Sequence, residues 1–182
     1  MRVAIAGAGA VGRSIARELL QNNHHVLLID KEPGKITPDR IEGAEWLLGD
    51  ACELVNLEDA SLEDYDVMIG ATGDDKVNLV VSLLAKTEFS VRRVVARINH
   101  PSNEWLFTEA WGVDVAVSTP RVLAALVEEA LEVGDVVRLF GLREAQANRV
   151  EFTLPEGAPC TGTAARALAP PQDPPPRAVF GA

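Results

Sequence analysis

The glycines of GAGAVG, at positions 7–12, are the residues whose types and spacing most clearly suit chemistry. They follow an apolar run, RVAIA at 2–6, and open a helical pattern. That context turns a common glycine pattern into a dinucleotide fingerprint. In this role Gly7 permits the tight turn, Gly9 lets a pyrophosphate approach the backbone, and Gly12 lets the helix pack close to the sheet. The free N–H groups of the helix start then face the phosphates, where the helix dipole favours negative charge. Asp30 lies 18 positions after Gly12, at the end of a second apolar run. An acid there can accept hydrogen bonds from both hydroxyls of an adenosine ribose, and it would repel a 2′-phosphate, which disfavours NADP.

Further candidates stand at the ends of later apolar runs. Gly49-Asp50-Ala51 places a flexible turn and a carboxylate beside the expected adenine, although Asp50 serves equally well as an ordinary turn acid. Ala71, Thr72 and Gly73 are small enough to leave room for a ribose or phosphate, and Thr72 or Asp74 can cap the helix that follows. Arg97 sits inside a predicted strand, where a charge needs a carboxylate, a phosphate or solvent at the sheet end. Asn78, Asn99 and Glu104 lie near it in the pattern. Cys52 reads as a small packed side chain, since no histidine is near it. The histidines, at 24, 25 and 100, stand at turns or in a loop. No nucleophile elbow, zinc-protease motif or GKS/T loop occurs, so neither catalytic residues nor a metal site are expected.

The elements that must position these residues follow from hydrophobic pattern. Strands are predicted at 2–6, 25–29, 44–48, 67–69, 94–98 and 113–117. Between them fall a helix ending at Asn22-Asn23, a turn-rich stretch at 33–43, a short helix within 53–64, a helix over 74–86 with Val77, Val80, Val81 and Leu84 inward, and a short helix over 103–110. A further helix runs from Pro120 to about Glu132, with Val122, Leu123, Leu126, Val127 and Leu131 on one face. Six strands alternating with helices predict an α/β, Rossmann-like doubly wound parallel sheet over residues 1–134. Two strands, 135–140 and 149–154, and a short helix then suggest a partial α+β segment over 135–169. Residues 170–182 begin with five prolines in seven positions and are expected to be disordered.

Composition narrows the function. The chain has 182 residues, and 17 Lys and Arg against 27 Asp and Glu give a net charge of -10, which argues against nucleic-acid binding. Its two cysteines, Cys52 and Cys160, form neither a disulfide framework nor a metal knuckle. No apolar stretch approaches the roughly 20 residues needed to cross a bilayer, and the first residues do not read as a signal peptide. About 35 residues after the first domain are too few to supply the substrate domain that a dehydrogenase needs. The residues alone still leave three readings open: a nucleotide sensor, a small NAD-dependent oxidoreductase or orphan NAD-binding protein, and a nucleotide-free dimerisation module.

The segments VAIAGAGAVGRSIARELL, HHVLLIDKE, GDA, VMIGATGDDKVNLVVSLLAK, VVARINHPSNEWLF and GVDVAVSTP resemble the cytoplasmic regulatory subunits of bacterial potassium transport systems, the TrkA and KtrA type. The resemblance covers about residues 1–137 and continues weakly through RVEFTLPEGAPCTGTAARAL, like the opening of a smaller ligand domain that here gives way to the proline-rich end, as in a truncated chain. It implies a protein that is not an enzyme, that binds NAD or NADH, or alternatively ATP or ADP, and that forms homodimers within larger rings. Such rings dock on a membrane potassium channel or transporter subunit, so the location implied is cytoplasmic and peripheral at the inner face of the plasma membrane. The resemblance carries phosphate contact to Gly7, Gly9, Ala10, Val11 and Gly12. It carries ribose contact to Asp30 with Lys31, adenine contact to Asp50 and Ala51, and cleft lining to Ala71, Thr72, Gly73 and, less directly, Arg97. ATP-gated members often carry arginine where this chain has Ala10, and some carry an acid where it has Arg121. Both departures weaken the case for ATP-specific switching and for a metal site.

Overall fold

Residues 3–6 are apolar without alternation, and the structure buries these residues of β1 (Arg2–Ala6) on both faces. The computed structural model describes residues 1–131, 136–142 and 147–152, with side chains as far as residue 128. β1 lies at the centre of a six-stranded parallel sheet with β2 (His25–Asp30), β3 (Glu45–Leu48), β4 (Val67–Gly70), β5 (Arg93–Ile98) and β6 (Val115–Ser118). The strand order is β3-β2-β1-β4-β5-β6. Val3 pairs with Val26 on one side and with Val67 on the other, so the chain reverses its direction of winding between β1 and β4. In such sheets the carboxyl ends of the strands at that reversal open a crevice.

The two faces are covered by different helices. Ile15, Ala16, Leu19 and Leu20 of α1 (Ala10–Gln21) pack on Val3, Ile5, Val26 and Leu28. Leu57 of α2 (Leu54–Asp59) and Val81 and Ala85 of α3 (Asp75–Thr87) pack on Ala4, Ala6, Leu27 and Ile29. Each fully buried Leu, Ile or Val among these contributes about 1.5–3 kcal/mol relative to exposure. α1 ends at Asn22 and the chain reverses through Asn23 at φ +60°, a conformation asparagine adopts more readily than most residues.

Several sequence expectations shift on contact with the fold. The 33–43 stretch is two 3₁₀ turns, Pro33–Lys35 and Pro38–Arg40, each with proline in its first turn. The helix expected over 103–110 is likewise two 3₁₀ pieces, Pro101–Leu106 and Glu109–Trp111, separated by Phe107, which is fully buried. On α3 the expected inward position of Val80 is wrong. Val80 is exposed, and the buried face carries Asp75, Asn78 and Ser82 beside Leu79, Val81 and Ala85.

The chain divides into two units, residues 1–120 and 121–182. α4 (Thr119–Leu131) begins at the end of the first. In the second, β7 (Val136–Leu142) and β8 (Ala147–Phe152) form an antiparallel pair, with an irregularity in register between Arg138 and Phe140. The helix expected after residue 154, Cys160 and the proline-rich tail lie outside the described residues.

Candidate functional site

The crevice at the winding reversal is an open cleft of about 590 Å³. Its floor is the glycine turn. Gly7 takes φ +103°, and a Cβ there would come within 2.9 Å of the Thr72 nitrogen. Gly12 lies in α1 against the turn itself, where a Cβ would be 1.8 Å from the Gly7 oxygen, so it closes the packing and does not line the cleft. Gly9 differs from both, since a Cβ on it would meet nothing within 4 Å. Gly9 is also the N-cap of α1, with no side chain to satisfy the first-turn N–H groups and no acid in that turn. Gly9, Ala10 and Val11 form the cleft wall there. The start of α1 therefore presents uncapped donors and the positive end of a helix dipole to the opening.

Asp30 ends β2 and is buried, with 8% exposure. Its Oδ2 accepts from the Ala8 N–H at 2.8 Å and its Oδ1 from the Glu32 N–H at 3.0 Å. The carboxylate is thus clamped to the glycine turn and still lines the cleft. Lys31 and Asp50 face each other across the ends of β2 and β3, 3.3 Å apart. Asp50 also accepts from the Cys52 N–H at 3.0 Å, and that bond, with Lys31, holds its carboxyl below the usual carboxylate range despite partial burial. Burial, reinforced by Asp50, pushes the Cys52 thiol up to about 11, far from a reactive thiolate. Ala51 and Gly49 complete this wall.

The opposite wall is Ala71, Thr72 and Gly73, with Asp74 and Val77 of the following turn. Asp74 caps α3 by accepting from the Lys76 N–H, while the Thr72 hydroxyl donates to Asn78 Oδ1 at 2.7 Å. Asn78, fully buried, accepts from the Thr72 N–H and donates to the carbonyls of Thr72 and Arg97. Asp75 accepts four bonds, from the N–H groups of Asn99 and His100 and the amides of Asn99 and Asn103. Burial alone would raise its carboxyl. These donors outweigh burial and hold it below the ordinary value. Arg97 projects from β5 to the cleft with its Nε buried and without a hydrogen-bond partner.

The structure thus places Gly7, Gly9, Ala10, Val11, Asp30, Lys31, Asp50, Ala51, Ala71, Thr72, Gly73 and Arg97 on one cleft, with Gly12 behind it. Sequence reasoning missed Glu32 and Lys35, which also line it. The only signal for them is a lysine five residues beyond a strand-end acid in a stretch that otherwise reads as polar turn.

Residues 3–119 match the TrkA-N domain model. The chain belongs to the TrkA-N family. It is 60% identical over 173 residues to the Trk system potassium uptake protein TrkA of Mycobacterium tuberculosis, covering 95% of this chain and 79% of that protein. It is 30% identical over 155 residues to a TrkA homolog of Methanothermobacter thermautotrophicus, covering 85% and 71%. Among solved structures, it is similar to GsuK bound to ADP, with 28% identity, a TM-score of 0.64, and coverage of 72% of this chain and 34% of that one. The TrkA-N domain is a regulatory, non-catalytic nucleotide-binding domain, and the chain is not an enzyme. Among the described residues no helix is long and apolar enough to cross a membrane.

Proposed function

We propose that the chain is a cytoplasmic nucleotide-sensing subunit that gates a membrane potassium channel or transporter, to which it docks at the inner face of the plasma membrane. The ligand is an adenine nucleotide, NAD or NADH first, with ATP or ADP as the alternative. One observation carries the reading: the uncapped start of α1, the clamped Asp30 carboxylate and the unpartnered Arg97 Nε meet on a single cleft at the winding reversal. A helix start and a guanidinium suit phosphates, and a buried acceptor suits a ribose diol. In this reading Gly7, Gly9, Ala10, Val11 and Gly12 hold the pyrophosphate and Asp30 the ribose beside Lys31. Asp50 and Ala51 flank the adenine, and Ala71, Thr72, Gly73 and Arg97 face the second half of the ligand.

The relatives named above as potassium uptake proteins support the transporter role, and the ADP-bound relative supports the ligand class. Leu123, Leu126 and Val127 of α4 are 62%, 47% and 50% exposed, which supports a homodimer, within a larger ring, that covers them. Gating then requires the ligand to bind one arrangement of the ring more tightly than another. The test has two arms. Calorimetric titration with NAD, NADH, NADP, ATP and ADP should give saturable binding of at least one, with NAD above NADP. Potassium-limited growth of a strain lacking its own TrkA should be restored by the chain and lost with a binding-deficient variant. Titrations without heat for every nucleotide would overturn the sensor, and growth independent of the variant would overturn the gating role.

A further inference from the structure

We infer that Lys35 is a ribose-reading residue: its ammonium donates to the hydroxyl oxygen whose proton Asp30 accepts, so the two side chains together recognise the diol of the adenosine half. This rests on the reading of the cleft as an adenine-nucleotide site and adds the residue that completes recognition of the sugar.

The argument starts from what Asp30 lacks. An ionised carboxylate only accepts, with about two lone-pair sites on each oxygen. One site on each oxygen of Asp30 is taken, by the Ala8 and Glu32 N–H groups. What remains can take a hydroxyl proton but offers nothing to the hydroxyl oxygen. A ribose hydroxyl both donates and accepts, and an acceptor left without a partner inside a cleft loses its water without replacement. A donor beside Asp30 is therefore needed.

Lys35 stands where that donor should be. It lines the cleft, and its Nζ is 3.9 Å from Asp30 Oδ2. This spacing is too long for a direct hydrogen bond. It does allow one oxygen to lie within hydrogen-bonding distance, about 2.7–3.0 Å, of both groups. The root of the side chain is fixed by the Pro33–Lys35 turn, in which the Lys35 N–H donates to the Glu32 carbonyl at 2.9 Å and the Ile36 N–H to Pro33 at 3.1 Å. The tip hydrogen-bonds to Glu32, at 2.8 Å, in a pair whose side chains are 38% and 61% exposed. Such a surface pair is weak, and an ammonium carries three donors, so Lys35 can turn toward a bound sugar at little cost. Glu32 and Asp30 together keep the ammonium charged.

The experiment is calorimetric titration of the full chain, native and with Lys35→Met or Lys35→Arg, against ADP, 2′-deoxy-ADP and 3′-deoxy-ADP. The native chain should prefer ADP over at least one deoxy analogue by about tenfold. In Lys35→Met that preference should fall to about threefold or less, because Asp30 still accepts, and Lys35→Arg should restore most of it. Lys35 is partly exposed on a surface turn, and unchanged thermal melting confirms that the variants fold. Native-like preference for ADP in Lys35→Met would overturn the role of Lys35 while leaving the nucleotide site intact. Absence of ADP binding to the native chain would overturn both.

Discussion

A single aspartate at Gly9 separates the ligand's need for bare backbone from the fold's. Gly9 sits at φ -71° and ψ -169°, which any L-residue adopts, and a Cβ there meets nothing within 4 Å. It is also the N-cap of a helix with no side-chain cap. Aspartate is among the best N-cap residues, and its charge complements the helix dipole. Gly9→Asp should thus leave stability unchanged or raise it by about a few tenths to 1 kcal/mol. The open space that spares the fold is the space a pyrophosphate would occupy. A carboxylate about 4 Å from one phosphate charge costs on the order of 4 kcal/mol at an effective dielectric of 20, and salt screening lowers this. A loss of at least tenfold in affinity, about 1.4 kcal/mol, is the conservative expectation. Calorimetry with NAD and ADP, beside thermal melting of the same samples, reads both halves. A variant that melts at or above the native temperature but binds the nucleotide as tightly would refute the placement of phosphates at the glycine turn.

The other expectations concern what holds the cleft in shape. Gly12→Ala should cost about 2–3 kcal/mol in urea unfolding, since its Cβ would stand 1.8 Å from the Gly7 oxygen and one of two backbones must move. Asn78→Leu, which strands the Thr72 N–H and the Arg97 carbonyl, should cost about 2–4 kcal/mol by the same measurement. Because the folded Asp75 carboxyl lies below its ordinary value, its contribution is complete above about pH 4 and is lost as pH falls through the folded value. The stability gap between the native chain and Asp75→Asn should therefore narrow between pH 7 and pH 2.5 in denaturant titrations. With its thiol pushed up to about 11, Cys52 should resist iodoacetamide at pH 8 and react readily only at more alkaline pH, followed by mass spectrometry of the Cys52 peptide.

How much of this was legible in the sequence depends on which physical signal each feature carries. RVAIA announces a strand buried on two faces because a continuous apolar run leaves no face for water, and the turn after it is legible because Gly7 and Gly12 have no steric alternative. The inner face of α3 was legible only in part: Val81 is in the core and Leu84 packs against it as expected, but Val80 is not. Hydrophobicity assigns Val80 to the core, yet Asp75, Asn78 and Ser82 are buried: Asp75 and Asn78 satisfy backbone groups at the strand ends beside the cleft, and Ser82 donates to the Asn78 carbonyl of its own helix. Those partners, the Thr72 N–H and the carbonyl of Arg97, are 6 and 19 positions from Asn78, and no local pattern reveals them. Lys35 escapes notice for the opposite reason: a lysine in a polar turn is the commonest of observations until the turn brings it to the end of β2.

The two walls of the cleft differ in how they are held, and that difference bears on how a ligand acts. On the β4–β5 side, Thr72, Asn78, Asp75, Asn99 and Asn103 form a continuous hydrogen-bonded network from the cleft into the loop after β5, with Asn78 and Asp75 buried. Leaving a buried partner of Asn78 or Asp75 unsatisfied costs about 1–3 kcal/mol. On the β2–β3 side Asp30 is also clamped, by the Ala8 and Glu32 N–H groups, but the two lysines are held by solvent-accessible ion pairs, Lys31 with Asp50 and Lys35 with Glu32. Each of these is worth about 0–1 kcal/mol. On the proposed reading, a nucleotide that recruits Lys31 or Lys35 therefore rearranges this rim at small cost, whereas the wall carrying Arg97 is held by the buried network. On the same reading NAD, ATP and ADP present the same adenosine half to this rim and differ in the half that meets the wall carrying Arg97.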